Sequence, residues 1–166
     1  MSRKKAREIV LCLVFEKDYH KDQSCEKLYE DLFKNYGIAE IFDSFGESGN
    51  QNKNSGDALT EANENYIKTT FTGVFDNIEQ IDDIVSGAAV GWEYSRISKI
   101  SMALLRVAVY EILYADDIPA PVAINEAVEL SKRYDNPEAY TFINGVLGAV
   151  AKNISRAGGS APAATL

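Results

Sequence analysis

The chain has 166 residues, 46% of them hydrophobic, which suits one domain with an ordinary core and is too apolar for a disordered chain. Its formal net charge of −8, taken as a sum, argues against nucleic acid, because like charge repels phosphate. Two cysteines and one histidine are too few for a disulfide framework or a spelled-out zinc site, so Cys12 and Cys25 read as buried free thiols in a reducing compartment.

The first element predicted is a helix over residues 3–19. Arg3, Lys4, Lys5 and Arg7 open it, and the apolar run from Ile9 to Phe15 follows. β-Branched content alone would allow a buried strand there, but the flanks Lys4-Lys5-Ala6-Arg7-Glu8 and Glu16-Lys17-Asp18 favour a helix buried on most sides. Basic residues before an apolar run also imitate a signal peptide. This run is too short to span a bilayer and leads into charges without a small-residue cleavage site, so a cytoplasmic chain is expected.

A second helix is predicted over 23–42, where Cys25, Leu28, Tyr29, Leu32, Phe33 and Tyr36 recur at helical spacing behind Asp22 or Ser24 as N-cap. Residues 44–59 are polar and rich in Gly, Asn and Ser, and read as a mobile surface loop. Over 61–89, Ile67, Phe71, Val74, Ile78, Ile81, Val85 and Ala88 form one apolar stripe, with a break placed near Asn77 and with Gly91 and Trp92 in a connector. Residues 98–115 are apolar on every side apart from Arg106 and Glu111, which puts this helix at the centre of the fold.

Asp116-Asp117-Ile118-Pro119 stops that helix, and Pro121 is read as the first residue of the next, 121–134. Ala123, Ile124, Ala127, Val128 and Leu130 would be buried there, with Glu126, Glu129, Lys132 and Arg133 exposed and Glu129 paired to Arg133. Asn136-Pro137-Glu138 repeats the start signal for a last helix, 137–154, with Phe142, Ile143, Val146, Leu147, Val150 and Ile154 on its apolar face. Residues 157–166 read as a flexible tail. The expectation is therefore an all-α domain, 1–156, of six to seven helices in two sub-bundles, about 1–89 and 90–156.

Few residues carry recognisable chemistry. The Gly-rich stretch from Gly49 to Gly56 lacks the ending of a phosphate-binding loop. Glu126 and Glu129 lack the histidine that a di-metal carboxylate bundle requires. His20 has no nucleophile beside it in the sequence. The expectation is a binding protein and not an enzyme, with no metal and no cofactor. The remaining candidate is the basic head. Arg3, Lys4, Lys5 and Arg7 fall within about one and a half helical turns and can meet successive phosphates; charges beyond about 8–10 Å are screened, so an acidic body does not forbid this. These cations also oppose the dipole at a helix start, which disfavours them unless they serve a purpose.

Three stretches resemble the NusB family. They are Arg3-Lys4-Lys5-Ala6-Arg7-Glu8, then Leu105-Arg106-Val107-Ala108-Val109-Tyr110-Glu111-Ile112-Leu113 with Asp117-Ile118-Pro119, then Val122 to Lys132 followed by Phe142-Ile143-Asn144-Gly145-Val146-Leu147. The resemblance implies binding to the boxA element of ribosomal RNA leader transcripts, together with NusE, a ribosomal small-subunit protein, in the RNA polymerase antitermination complex. It implies Arg3, Lys4, Lys5 and Arg7 as phosphate contacts, with Lys99 as a further one. Arg106 matches a family arginine near the RNA path, or forms a structural ion pair with Glu111. Phe142 matches a family aromatic beside the RNA, or belongs to the core. For NusE the implied contacts are Phe15, Glu138 and Ser101, the last standing where some members have Glu. Asn144 and Gly145 read as structural. The alternative is an RNA-independent interaction module, or a homodimer that masks its RNA face.

Overall fold

The structure, a computed structural model, describes residues 1–44, 59–93 and 97–157, with side chains omitted over 35–44. The loop expected at 44–59 and the tail expected at 157–166 therefore lie outside the described residues except at their edges. The described residues form seven α-helices and no strand. Two compact units are distinguished, Met1–Thr72 and Gly73–Leu166. The division falls inside a helix, whereas the sequence reading set the sub-bundle boundary near residue 89.

The first unit contains α1 (Arg3–Lys17), α2 (Cys25–Ser44) and most of α3 (Glu61–Asp76). Ser2 is extended and its side chain accepts from Lys5 N, which satisfies one of the orphan donors of the first turn of α1. Lys17 closes the other end by donating to Lys21 O at 2.9 Å. Every residue from Ala6 to Val14 is buried, so the helix is enclosed on all sides along its middle. α1 packs against α2, whose start is capped by Ser24 Oγ accepting from Lys27 N. Tyr29 on α2 donates to Glu64 on α3, which also accepts from Lys68 at 2.7 Å. Burial, with the Glu64 charge beside it, pushes the Tyr29 phenol up to about 12.

The second unit contains the end of α3, then α4 (Ile78–Ala88), α5 (Lys99–Tyr114), α6 (Ala120–Tyr134) and α7 (Ala139–Arg156). Asn77 makes the break expected near it. Its side chain donates to Gly73 O at 2.8 Å, closing α3, and its own carbonyl accepts from Ile81 N, opening α4. α5 packs against α4, α6 and α7, and α7 packs against α4 and α6. Residues 101–105 and 107–111 of α5 are all buried, as its sequence required. Tyr110 lies so close to Gly73 that a Cβ there would come within 2.3 Å of its ring. Glycine is needed at 73 for that approach.

Several local expectations change. Pro121 is the second helical residue of α6, after Ala120, and Ile124 and Val128 are only half-buried. Glu126 is half-buried where exposure was expected, and Glu129 accepts from Lys132 at 2.7 Å. α7 starts at Ala139, because Asn136 caps a turn first: its Oδ1 accepts from Glu138 N and its carbonyl accepts from Ala139 N. Gly145 has open space around its Cα and Asn144 is exposed, so neither does the packing work assigned to it. No helix among the described residues is long and apolar enough to cross a membrane.

The two cysteines separate. Cys12 is buried and its thiol donates to Glu8 O, while Cys25 is half-buried and not the buried thiol expected. Burial, reinforced by Glu8, pushes the Cys12 thiol far above its ordinary range. In the folded protein a thiol-specific disulfide reagent will therefore modify Cys25 alone, and Cys12 only after denaturation; equal rates at both in the native state would contradict its burial. Gly73→Ala will be net destabilising by about 1–2 kcal/mol, since overpacking against Tyr110 outweighs the gain in helix propensity. The check is a lower urea midpoint at unchanged slope.

Candidate nucleic-acid interface

The basic head is a capped, anchored helix start. Asn63 on α3 donates its side-chain amide to Met1 O at 2.6 Å, tying the chain terminus to its own unit. The Arg3 guanidinium lies 4.3 Å from the Tyr66 ring centroid, a cation–π contact that fixes its direction. Lys4 is exposed, and Arg3 and Lys5 are half-exposed. No acid stands in the first turn of α1.

Arg7 departs from the expected arc. It is 5% exposed, one turn into the helix, with its guanidinium on the Tyr66 side at 5.9 Å from that ring. Side chains at positions 3 and 7 of a helix share a face. The face that brings Arg3 over Tyr66 carries Arg7 inward, so the cluster that meets solvent is Arg3, Lys4 and Lys5.

The remaining candidates lie in the second unit. Arg106 forms a bidentate pair with Asp82 on α4, Nε to Oδ1 and Nη2 to Oδ2, both at 2.8 Å, and its side chain is 11% exposed. The partner named from the sequence was Glu111, which is itself 1% exposed. Asp82 sits on a different helix, so sequence spacing did not reveal it. Lys99 is exposed in the first turn of α5.

Phe142 is 6% exposed, and the ring of Trp92 lies against it, with centroids 4.8 Å apart and planes tilted by 58°. Trp92, read from the sequence only as part of a connector, is the aromatic that reaches solvent here, at 55% exposure. A lone tryptophan beside a glycine between two helices was the available signal. The two rings form one wall of an open cleft of about 530 Å³, which Ser98, Asn136 and Glu138 also line.

The partner-binding candidates also separate. Phe15 is half-buried near the end of α1, stacked at 5.3 Å on Tyr19, which is 62% exposed. Glu138 is exposed at the mouth of the cleft. Ser101 is 3% exposed and donates its hydroxyl to Asp135, as Ser98 does at 2.7 Å. A serine held this way braces α5 against the end of α6, which corrects its assignment as a contact for a partner. No group of three or more His, Cys, Asp or Glu able to hold a metal ion occurs among the described residues.

Comparison with known proteins gives a consistent result. The NusB family profile matches residues 4–152. A transcription antitermination protein NusB of Acetivibrio thermocellus is 40% identical over 152 residues, covering 92% of this chain and 90% of the relative. The structure of T. maritima NusB superposes with a TM-score of 0.70 at 26% identity, over 98% of this chain and 94% of that one. A chain from the crystal structure of antitermination factors NusB and NusE in complex with double-stranded RNA has the same fold, with a TM-score of 0.66 at 20% identity, over 91% of this chain and 96% of that one.

The Arg106–Asp82 pair makes a scaffold prediction. Arg106→Ala and Asp82→Ala will each cost about 1–3 kcal/mol, and the double mutant will show a coupling of about 1–2 kcal/mol, because each partner alone is left partly buried without its counter-charge. Additive losses in urea unfolding would show that the pair contributes nothing to the fold.

Proposed function

The chain belongs to the NusB family, and on that premise we propose that it is a transcription antitermination factor that binds the boxA RNA of ribosomal RNA leader transcripts together with NusE. The observation that carries this reading is the anchored basic start of α1. Arg3 is held over Tyr66 and Met1 is tied to Asn63, with Lys4 and Lys5 following on the same exposed helix start, against the preference of the helix dipole. Single-stranded RNA offers phosphates to such cations. Arg7 acts from beneath, as part of the wall that orients the head.

The net charge of −8 weakens attraction to RNA for the chain alone. A basic NusE would supply counter-charge, so the heterodimer is the tighter RNA binder. Phe15, with Tyr19 beside it, is the aromatic contact assigned to NusE, and Glu138 is the acidic one. Ser101 is withdrawn from that surface. The protein works in the cytoplasm, where nascent transcripts are made, and acts by binding and not by catalysis.

The test is fluorescence anisotropy of a labelled boxA RNA across salt concentrations, with and without NusE. Replacing Lys4 and Lys5 by glutamine will flatten the log–log salt dependence by about 1.4, at about 0.7 per phosphate contact on a single strand. An unchanged slope would remove the basic head from the RNA interface. NusE binding without any RNA affinity, alone or as the heterodimer, would favour the RNA-independent module.

A further inference from the structure

We propose that Trp92, backed by Phe142, is a stacking platform for one unpaired nucleobase, and that the cleft beside it accepts the base. The proposal rests on the RNA reading above and assigns a residue that the basic head does not include.

The placement of Trp92 is specific. α4 ends in a tight turn in which Trp92 N donates to Ala89 O at 3.1 Å, and Gly91 takes a φ of +84° that other residues rarely adopt. The turn throws the indole back over the start of α7, onto Phe142. Phe142 is itself held in the core, with only 6% of its surface exposed. It supports the indole from one side, and the indole presents its remaining surface to the cleft. An aromatic held by a second aromatic loses little freedom when a base stacks on it, which is the condition for strong stacking.

The cleft's chemistry selects the occupant. Among its described lining residues are two glutamates, Glu93 and Glu138, and no lysine or arginine. The floor is rigid, because Ser98 and Ser101 both donate to Asp135, whose other oxygen accepts from Asn136 N. The exposed Glu138 carboxylate at the rim and a flat apolar wall suit a nucleobase carrying amino hydrogens on its edge. A volume of about 530 Å³ leaves ample room for a single base with its water.

Trp92 is the only tryptophan in the chain, so emission excited at 295 nm reports this one ring. The experiment titrates full-length protein, with NusE present, with labelled single-stranded boxA RNA, following anisotropy and tryptophan emission of a tryptophan-free NusE mixture in parallel. The expected result is quenching that saturates along the anisotropy isotherm. Trp92→Ala will weaken RNA binding by roughly 5- to 100-fold, the range for one stacked base, with the salt slope unchanged because no phosphate contact is lost. Trp92→Phe, which keeps a stacking face, will restore most of the affinity, and circular dichroism will confirm that each variant is folded. RNA binding seen by anisotropy, with unaltered emission or with Trp92→Ala within twofold of wild type, overturns the platform and leaves the RNA reading intact. Failure of Trp92→Phe to recover what alanine loses also overturns it. No anisotropy change in wild type, alone or with NusE, removes both.

Discussion

A helix that is apolar on every side must be enclosed by its neighbours, and each polar atom it carries must be matched by one of them. α5 imposes that constraint on the second unit. It packs against α4, α6 and α7, and three of its polar side chains are answered from other helices or their ends: Arg106 by Asp82, Ser101 by Asp135, and Tyr114 by Gln80 at 2.9 Å. Leaving any of them unmatched in the interior would cost more than the bond itself contributes. The same constraint explains Gly73, which lets Tyr110 approach the end of α3. It also redistributes the functional candidates. Arg106 and Ser101 are held by the scaffold, and residues at helix ends, Trp92 and Glu138, are left facing the cleft.

Charge is organised by sign within short distances, not by the total. The first unit holds three solvent-facing cations at one helix start, while the described rim of the cleft in the second unit is acidic. At physiological ionic strength such patches act locally, because fields decay within about 8–10 Å. An acidic protein can therefore present a local basic patch without contradiction.

Much of the fold was legible along the chain. The helical stripes of α3, α4 and α7, the break at Asn77 and the all-round burial of α5 follow from periodicity and local capping, which act over one or two turns. The misreadings at Pro121 and Pro137 are of the same kind. Proline marks a helix start to within a residue or two, and Asn136 shows how a capped turn can precede the helix proper. The candidate site was less legible. Lys4 and Glu138 stand on the surface as read, Arg7 and Ser101 do not, and Trp92 was passed over. Asn144 and Gly145 were given packing roles that their exposed positions do not support.

The amino-acid order alone determined where helices form, which stripe of each is apolar and where the cations cluster, because these depend on neighbours three or four residues away. Only the tertiary structure decided which way the borderline side chains face. Arg7 turns inward because Tyr66 and its surroundings lie on that side of α1; Arg106 is claimed by a carboxylate on another helix; Phe142 is covered by an indole delivered by a turn some fifty residues earlier in the chain. Those partners are distant in sequence, and the angle at which helices pack sets whether a side chain meets solvent or protein.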